Sequence, residues 1–522
     1  MADKTPFYIT TAIPYVNGVP HLGHAYEAIL TDVMARFKRL DGFDVMFLTG
    51  SDEHGEKNAK KAEEEGVSPQ EIADLNTGAF KDAVKLMQIT NDDFVRTTEP
   101  RHHAASQEMW KRLHEKGLIY LDKYAGWYSV REEAYFTEDE LREDENGTRF
   151  TPLGTEVEWV EEESYFFKLS AFTQKLLDYY KDNPDFIQPE TRRNEIIAFV
   201  AQEGGLKDLS VSRHKRRLEW GIPVPGDENH VMYVWLDALT NYITALGFPN
   251  EQDAKFERYW PCDYHVIGKD ITRFHAIYWP AFLMAADIPL PKTIFAHGFI
   301  NVDGAKMSKS IGNVLSPQSL VDTYGLDQLR YFLMRDIPHG QDGNFAHEQA
   351  IMRMNADLAN GLGNLAQRTL SMIYKNCDAC IPEANDLNDD DQSLLNQAYA
   401  VIEKARGFYD EFKINRALEE IWKVVSAADA YVDAQAPWVL KKENPQRMKT
   451  VLYVLAETVR CLAILAQPVT PIAASKLLDQ LKIDDNERSF EHLSNAYAIK
   501  ADTTLDKPEG VFPRIIIEDA AA

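Results

Sequence analysis

Two histidines near the start of the chain are spaced to meet a phosphate. His21 and His24 flank Gly23, in a loop that also holds Tyr15 and Asn17 and leads into a helical pattern. The N-terminus of a helix offers unpaired N–H groups and the positive end of its dipole, which suits a nucleotide phosphate. Glycine lets a flat base approach the backbone, and two imidazoles could donate hydrogen bonds as charge builds on phosphate oxygens. A lone histidine at a helix start is more often a cap or a packing residue.

A second candidate lies far downstream, where two lysines stand three residues apart. Lys306 and Lys309 enclose Met307 and Ser308 in a loop that begins after Gly304. Such lysines could swing onto a triphosphate and neutralise its leaving group. Taken alone, the motif is also typical of a solvated basic loop. The chain has no Walker A sequence, so the pattern does not favour a P-loop NTPase.

Strand and helix patterns place the first motif at the edge of a parallel sheet. An apolar run at residues 7–12, a helical pattern at 23–40 and a second apolar run at 45–50 predict a βαβ unit. Strand patterns return at residues 264–268 and 293–297. Ligands of parallel sheets bind beyond the carboxyl ends of the strands. The loops after the first two strands should therefore form the site.

The texture of the chain predicts an α/β fold, with a Rossmann-like parallel-sheet domain split by an α+β insertion and followed by an all-α helical bundle. Aromatic and acidic residues mixed with turns mark the insertion, and helical spacing replaces strand signals in the tail. The expected segments are 1–116 for the first half of the sheet domain, 117–225 for the insertion, 226–305 for the second half, 306–355 for the region of the lysine loop and 356–522 for the bundle.

The two motifs together resemble the signature pair of the class I aminoacyl-tRNA synthetases. Four further segments are similar to the methionine-specific family of that class, and the resemblance runs from residue 7 to about residue 445. These segments are Gly50-Ser51-Asp52-Glu53-His54-Gly55, Val234-Trp235-Leu236-Asp237-Ala238 with Tyr242, Gly268-Lys269-Asp270-Ile271, and His297-Gly298.

The resemblance implies ATP-dependent ligation of L-methionine to tRNA(Met), through a methionyl-adenylate and with Mg²⁺ on the triphosphate. His21, His24, Lys306 and Lys309 are the implied catalytic residues. The implied ATP-binding residues are these four with Tyr15, Asn17, Gly23 and Ser308. The implied methionine-binding residues are Ala12, Ile13, Tyr15, Asp52, Trp235, Ala238, Leu239, Tyr242, Ile271 and His297, of which Asp52 would meet the ammonium group. Arg213 stands where the family places an active-site arginine.

Three residues of the tail resemble the family's anticodon readers: Asn364, Arg368 and Trp438. Single-stranded bases are read by stacking on aromatic or arginine side chains and by hydrogen bonds to their edges. Trp438 follows Pro437 and could equally pack as a hydrophobic staple. The net charge of −26 permits RNA binding without indicating it, because local patches bind phosphates. Initiator tRNA is among the expected partners.

Zinc is not expected. The resemblance is to the bacterial subgroup whose insertion lacks zinc ligands, since residues 124–135 contain no cysteine. Cys377 and Cys380 form an isolated pair, and a structural zinc site needs four ligands. The first six residues have no apolar signal core and no apolar run reaches membrane length. We therefore expect a cytoplasmic enzyme without a membrane partner, and a monomer, since the dimer-forming C-terminal module of some relatives is missing.

Three alternatives remain open at this point. An enzyme for Leu, Ile or Val would carry a large hydrolytic editing domain, and the predicted insertion is too short for one. A cysteine-specific enzyme would use thiolate zinc ligands, for which Cys262 is the only nearby candidate. The third alternative is a catalytically inactive tRNA-binding homologue, against which the intact histidines and lysines of both loops argue.

Overall fold

The computed structural model describes residues 4–129, 134–136, 138–145, 147–152, 154–233, 235–307, 312–338 and 340–516. The first part of the chain alternates strands and helices. Its elements are β1 (Pro6–Thr11), α1 (Leu22–Leu40), β2 (Asp44–Ser51), α2 (Glu56–Glu65), α3 (Pro69–Leu86), β3 (Asp93–Arg96) and α4 (Pro100–Glu115). Among the described residues, no helix combines the length and the apolar character needed to cross a membrane.

The next part is built mainly from short antiparallel strands. Its elements are β4 (Ile119–Ser129), β5 (Ala134–Phe136), β6 (Arg142–Glu143), β7 (Arg149–Phe150), β8 (Glu158–Phe167), α5 (Thr173–Asp182), β9 (Ile187–Gln188), α6 (Glu190–Val200), β10 (Leu209–Ser210), β11 (Ser212–His214), β12 (Pro223–Val224) and β13 (Asp227–Met232). The long strands β4 and β8 pair over ten positions and form the spine of a four-stranded sheet of order β10-β8-β4-β5.

The alternation of strands and helices then resumes. The elements are α7 (Trp235–Thr244), α8 (Ala254–Tyr259), β14 (Tyr264–Gly268), α9 (Trp279–Ala285), β15 (Thr293–His297), β16 (Ile300–Val302), β17 (Ala305–Lys306), α10 (Pro317–Tyr324), α11 (Leu326–Asp336) and β18 (Gly343–Phe345). Helices complete the chain, with α12 (His347–Met354), α13 (Gly363–Asn376), α14 (Asp389–Asp410), α15 (Ile414–Gln435), α16 (Pro437–Glu443), α17 (Pro445–Ala466) and α18 (Pro471–Gln480).

A six-stranded parallel sheet of order β3-β2-β1-β14-β15-β9 lies at the centre. The chain winds outward from β1 through β2 to β3, and later outward from β14 to β15, so the direction of winding reverses between β1 and β14. A crevice opens at such a switch point, beyond the carboxyl ends of the strands. This architecture, with its inserted antiparallel sheet and helical tail, confirms the predicted fold class. The edge strand β9 comes from within the predicted insertion.

The helical tail packs against the same helix that carries the two histidines. One continuous core runs from α1 through α11 to α17. At its centre the fully buried Arg330 forms an ion pair with Asp32 of α1, at 2.7 Å. The same guanidinium donates to the carbonyl oxygens of Pro468 and Val469, at 3.0 and 3.1 Å. A buried charge is tolerated only when it is paired and hydrogen-bonded, so this contact fixes the tail relative to α1.

Candidate active site

A cavity of 1120 Å³ opens at the carboxyl edge of the sheet, beside the reversal between β1 and β14. It lies where the sequence predicts the site. All ten residues predicted to bind methionine line it, and so do the described histidines and lysine of the two motifs. The predicted residues in its wall are Ala12, Ile13, Tyr15, His21, Gly23, His24, Asp52, Trp235, Ala238, Leu239, Tyr242, Ile271, His297 and Lys306.

His21 and His24 cap the N-terminus of α1 with their own rings. The backbone N–H of Gly23 donates to His21 Nδ1, at 3.1 Å, and that of His21 donates to His24 Nδ1, at 3.2 Å. The two rings stack with centroids 3.8 Å apart. A Cβ on Gly23 would lie 3.0 Å from His21 Cε1. The missing side chain therefore makes room for the capping ring, which is a reason that the sequence pattern does not reveal.

This capping assigns the proton of each imidazole. A nitrogen that accepts from a backbone N–H carries no proton, so in the neutral ring the proton lies on Nε2. Burial, and next to it the neighbouring His21, lowers the pKa of His24 to about 3. His24 is therefore neutral at physiological pH. It can present an Nε2–H to an anion, without the cost of burying a second charge.

The loop that holds Asp52 is attached to the loop that holds Tyr15. The N–H of Asp52 donates to the carbonyl oxygen of Pro14, at 2.9 Å. The N–H of Val16 donates to the carbonyl oxygen of Asp52, at 3.1 Å. Asp52 follows β2 directly and is buried. A Cβ on Gly55, whose φ is +128°, would lie 2.7 Å from the hydroxyl of Tyr15. The two loops thus form one rigid wall that carries a carboxylate.

The facing wall is one side of α7. Trp235, Ala238, Leu239 and Tyr242 all line the cavity, and their i, i+3, i+4, i+7 spacing places them on one helix face. The indole of Trp235 stacks on Phe274, with ring centroids 3.6 Å apart and planes 11° apart. This wall offers aromatic and aliphatic surface, which suits an apolar, polarisable side chain such as a thioether.

A histidine that the sequence analysis did not select completes this wall. His275 Nδ1 lies 3.0 Å from the carbonyl oxygen of Ile271, and its Nε2 lies 2.7 Å from the Tyr242 hydroxyl. Burial lowers the pKa of His275 to about 4, so the ring is neutral. Because the carbonyl only accepts, Nδ1 carries the proton and the Tyr242 hydroxyl donates to Nε2. The hydroxyl proton of Tyr242 is thereby donated to His275.

A hydrogen-bonded pair, the buried His297 and the half-buried Glu27, links the ends of β1 and β15. His297 Nε2 lies 2.9 Å from Glu27 Oε2, and Glu27 Oε1 accepts from the N–H of Ala12, at 3.1 Å. Burial alone would lower the pKa of His297, but the bond and the charge of Glu27 raise it above its ordinary value. The sequence analysis did not select Glu27. Its position, three residues after His24 on the same helix, was the available signal.

The lysine loop reaches the mouth of the cavity. Lys306, in β17, is exposed and lines the opening, and its Nζ lies 5.1 Å from the ring centroid of Phe299. Ser308 and Lys309 lie outside the described residues. Only the first lysine of the motif can therefore be assigned a position in the structure.

Of the described residues predicted for the active site, two lie away from the cavity lining. Asn17 is exposed, and its N–H donates to the carbonyl oxygen of Tyr15, at 2.9 Å. Arg213 is 1% exposed. Its guanidinium carbon lies 3.5 Å from the ring centroid of Tyr233 and 5.3 Å from that of Tyr128. Arg213 therefore packs between aromatic rings at the base of the insertion.

The three predicted anticodon readers share one surface of the tail. Asn364 and Arg368 are both exposed and lie one turn apart on α13. Trp438, in the first turn of α16, is 47% exposed. The guanidinium carbon of Arg368 lies 5.7 Å from its ring centroid. The tryptophan is thus half open to solvent and lies beside a cation, which favours the stacking interpretation over that of a core side chain.

The four cysteines are free thiols. Cys377 is the C-cap of α13, and its carbonyl oxygen accepts from the N–H of Cys380, at 2.8 Å. Across the described part of the chain, no group of three or more His, Cys, Asp or Glu side chains is placed to hold a metal ion. Residues 130–133 of the cysteine-free stretch lie outside the described ranges.

Comparisons with known proteins show the family to which the chain belongs. The family of class I tRNA synthetases for methionine, described as "tRNA synthetases class I (M)", matches residues 7–370. The family described as the anticodon binding domain of methionyl tRNA ligase matches residues 381–522. The methionine–tRNA ligase of Rhizobium meliloti is 55% identical over 520 residues and is covered, like this chain, to 100%.

Solved structures give the same result. The methionyl-tRNA synthetase of Mycobacterium tuberculosis in complex with methionyl-adenylate has a TM-score of 0.94 and 52% identity, over 98% of this chain and 100% of that one. The free form of that enzyme has a TM-score of 0.88 and 49% identity, over 98% of each chain. The family predicted from the sequence is thereby confirmed: the chain belongs to the methionyl-tRNA synthetases, the methionine–tRNA ligases of the class I aminoacyl-tRNA synthetases.

Proposed function

We propose that this chain activates L-methionine with ATP and transfers it to tRNA(Met). In the first step the methionine carboxylate attacks the α-phosphorus of ATP, which gives methionyl-adenylate and releases pyrophosphate. In the second, the terminal ribose hydroxyl of tRNA takes the methionyl group and AMP leaves. Neither step needs a protein nucleophile, so the residues contribute position and charge. The observation that carries the proposal is a cavity whose wall joins a histidine-capped helix end, a carboxylate and an aromatic helix face.

The phosphate end would lie against α1. The Nε2–H groups of His21 and His24 would donate to the α-phosphate as negative charge develops there. Lys306, and Lys309 by its position in the motif, would neutralise the leaving pyrophosphate. Mg²⁺ would enter on the triphosphate, as the resemblance to the family implies. Tyr15 and Gly23 would adjoin the nucleotide.

The methionine end would lie between the two walls. Asp52 would accept hydrogen bonds from the ammonium group, and its carboxylate is suited to this because charged partners form the stronger bonds. The thioether would lie against Trp235 and Tyr242, with Ile271 completing the slot. His297 would contact the ligand from the β15 side, where Glu27 orients its ring.

The tail would bind the anticodon through Asn364, Arg368 and Trp438, for both initiator and elongator tRNA. We further propose a monomer that works in the cytoplasm without a membrane partner. The five segments defined from the sequence remain the proposed division of the chain, with residues 306–355 contacting the tRNA stem.

Methionine-dependent ATP–pyrophosphate exchange on the purified chain tests the proposal directly. Exchange with methionine, and not with leucine, isoleucine, valine or cysteine, is the expected result. Transfer of labelled methionine to tRNA should follow. Binding of tRNA without any exchange would instead favour an inactive homologue.

A further inference from the structure

Three buried polar side chains lie directly behind the methionine pocket and take no part in the chemistry proposed above. Asp237 Oδ2 lies 2.6 Å from His54 Nδ1, and Asp237 Oδ1 lies 2.8 Å from His102 Nε2. Asp237 is 1% exposed and His102 is fully buried. They are not part of the cavity lining, so this cluster can affect a ligand only through its neighbours.

Both hydrogen bonds depend on an ionised carboxylate. Burial alone would raise the pKa of Asp237, but His54 and His102 outweigh that effect and hold the pKa below its ordinary value. A carboxylate only accepts, so His54 Nδ1 and His102 Nε2 must both carry protons. One side chain thus binds two imidazoles at once, one through each oxygen.

The two imidazoles come from different parts of the fold. His54 lies two residues after Asp52, in the loop beyond β2, and His102 lies on α4. Asp237 itself lies two residues after Trp235 on α7. His102 Nδ1 also lies 3.0 Å from the hydroxyl of Thr244, near the end of the same helix. The cluster therefore connects the carboxylate wall, α4 and the aromatic wall.

The opposite side of the Asp52 loop is attached separately. The carboxylate of Glu53 accepts from Arg96 at 2.6 and 3.0 Å, and from Thr77 at 2.6 Å. These bonds tie the loop to β3 and α3. Its attachment toward α7 runs through His54 and Asp237, so a change at Asp237 should move Asp52 relative to Trp235 without releasing the loop from the sheet.

We propose that Asp237 is a positioning residue of the methionine pocket, which sets the separation of Asp52 from the wall formed by Trp235 and Ala238 by holding His54 and His102 together. The inference rests on the proposed function, because it assumes that methionine binds between these walls. The nucleotide contacts around His21 and His24 lie on α1, and the cluster does not touch them.

The test is Asp237→Asn in the full-length enzyme. The amide has one accepting oxygen, and its NH₂ group would face the N–H of the other imidazole. One buried donor is left unpaired, so the KM for methionine in pyrophosphate exchange should rise about 5- to 100-fold. The KM for ATP should change less than about twofold, because the proposed nucleotide contacts lie on α1 and the cluster does not touch them. Equilibrium binding of methionine alone, followed by calorimetry, should weaken by the same factor.

Thr244→Val provides a milder second variant. It removes the hydroxyl beside His102 and nearly keeps the volume, so a rise of about 2- to 10-fold in the methionine KM is expected. The matched control is Asp227→Asn. Asp227 also binds a histidine, His230, at 2.8 Å, but both residues are in β13 and outside the cavity lining. Asp227→Asn should therefore leave both KM values unchanged.

Each outcome bears on whether Asp237 positions the walls of the methionine pocket. A folded Asp237→Asn enzyme with an unchanged methionine KM overturns the inference. So does an equal rise in both KM values with a lowered melting temperature, which a merely structural role would produce. If Asp237→Asn does not fold, an unchanged methionine KM in Thr244→Val overturns it. Absence of exchange in the unmodified chain would instead refute the proposed function, and this inference with it.

Discussion

Replacement of His24 by alanine separates two roles that one imidazole combines. In the helix, His24 Nδ1 accepts from the backbone N–H of His21. Loss of a capping side chain costs about 0.5–2 kcal/mol of stability. In the reaction, its Nε2–H would stabilise the charge that develops on the α-phosphate. Loss of one such donor costs about 10²–10³ in rate, or about 2.7–4 kcal/mol of transition-state stabilisation. The kinetic effect should therefore exceed the effect on stability.

The assay is methionine-dependent pyrophosphate exchange, combined with thermal unfolding of the same preparation. The matched control is Glu71→Ala. Glu71 occupies the same third helical position in the capping box of α3, and it is not part of the cavity lining. Glu71→Ala should lower the melting temperature and keep its exchange rate. His24→Ala should lose both.

The pH dependence gives a second check. Because the pKa of His24 is about 3, its neutral form is present throughout the range from pH 5 to 8. Any inflection of the exchange rate between pH 5 and 8 should therefore still be present in His24→Ala. A folded variant that keeps the exchange rate of the unmodified enzyme, or a wild-type inflection near neutral pH that vanishes with His24, would refute the assignment of a neutral Nε2–H donor.

Four further predictions follow from the site and the tail. Lys309→Ala should slow exchange by about 10²–10³, with a much smaller change in the KM for methionine. Trp438→Ala should weaken the interaction with tRNA by about 1–3 kcal/mol. Since this side chain is 47% exposed, its loss should leave the melting temperature and tRNA-free exchange near normal. Elemental analysis should find well under one zinc per chain, and chelators should leave exchange intact. The protonated form of His297 is stabilised by the ionised carboxylate of Glu27, whose own pKa is raised by burial. At pH values where Glu27 is ionised, this contribution to stability should be present below the ordinary value of 6.5 and be lost as the pH rises through the raised pKa of His297. In Glu27→Gln that alkaline loss should be absent.

The controls for these predictions come from paired measurements. An unchanged exchange rate in Lys309→Ala would remove the lysine loop from the mechanism. A Trp438→Ala protein with a lowered melting temperature and a loss of both tRNA charging and pyrophosphate exchange would show that Trp438 has a structural role. Stoichiometric zinc would contradict the interpretation of the insertion. A Glu27→Gln variant that keeps the full alkaline loss would show that another group titrates there.

Much of the fold could be predicted because its strands are short, apolar and bounded by turns. Strands β14 (Tyr264–Gly268) and β15 (Thr293–His297) begin and end where the pattern indicates, since burial on both faces requires continuous apolar runs. The candidate site could be located for a related reason. In a parallel sheet the carboxyl ends of the strands meet at one edge, so motifs that follow strands converge there whatever their separation in sequence.

The amino-acid sequence by itself determined the α/β fold class and placed the two motif loops beyond the ends of strands, because these depend on local pattern and spacing. The residues of the aromatic wall were predicted only through the resemblance to the methionine-specific family. Only the tertiary structure decided which groups share a proton. Asp237 meets His54 across 183 residues and His297 meets Glu27 across 270. The tautomers of His21 and His24 depend on helix capping. The burial of Arg213 depends on Tyr128 of β4 and on Tyr233, which directly follows β13. Such contacts are set by strand order and crossovers, which the periodicity of a sequence does not encode.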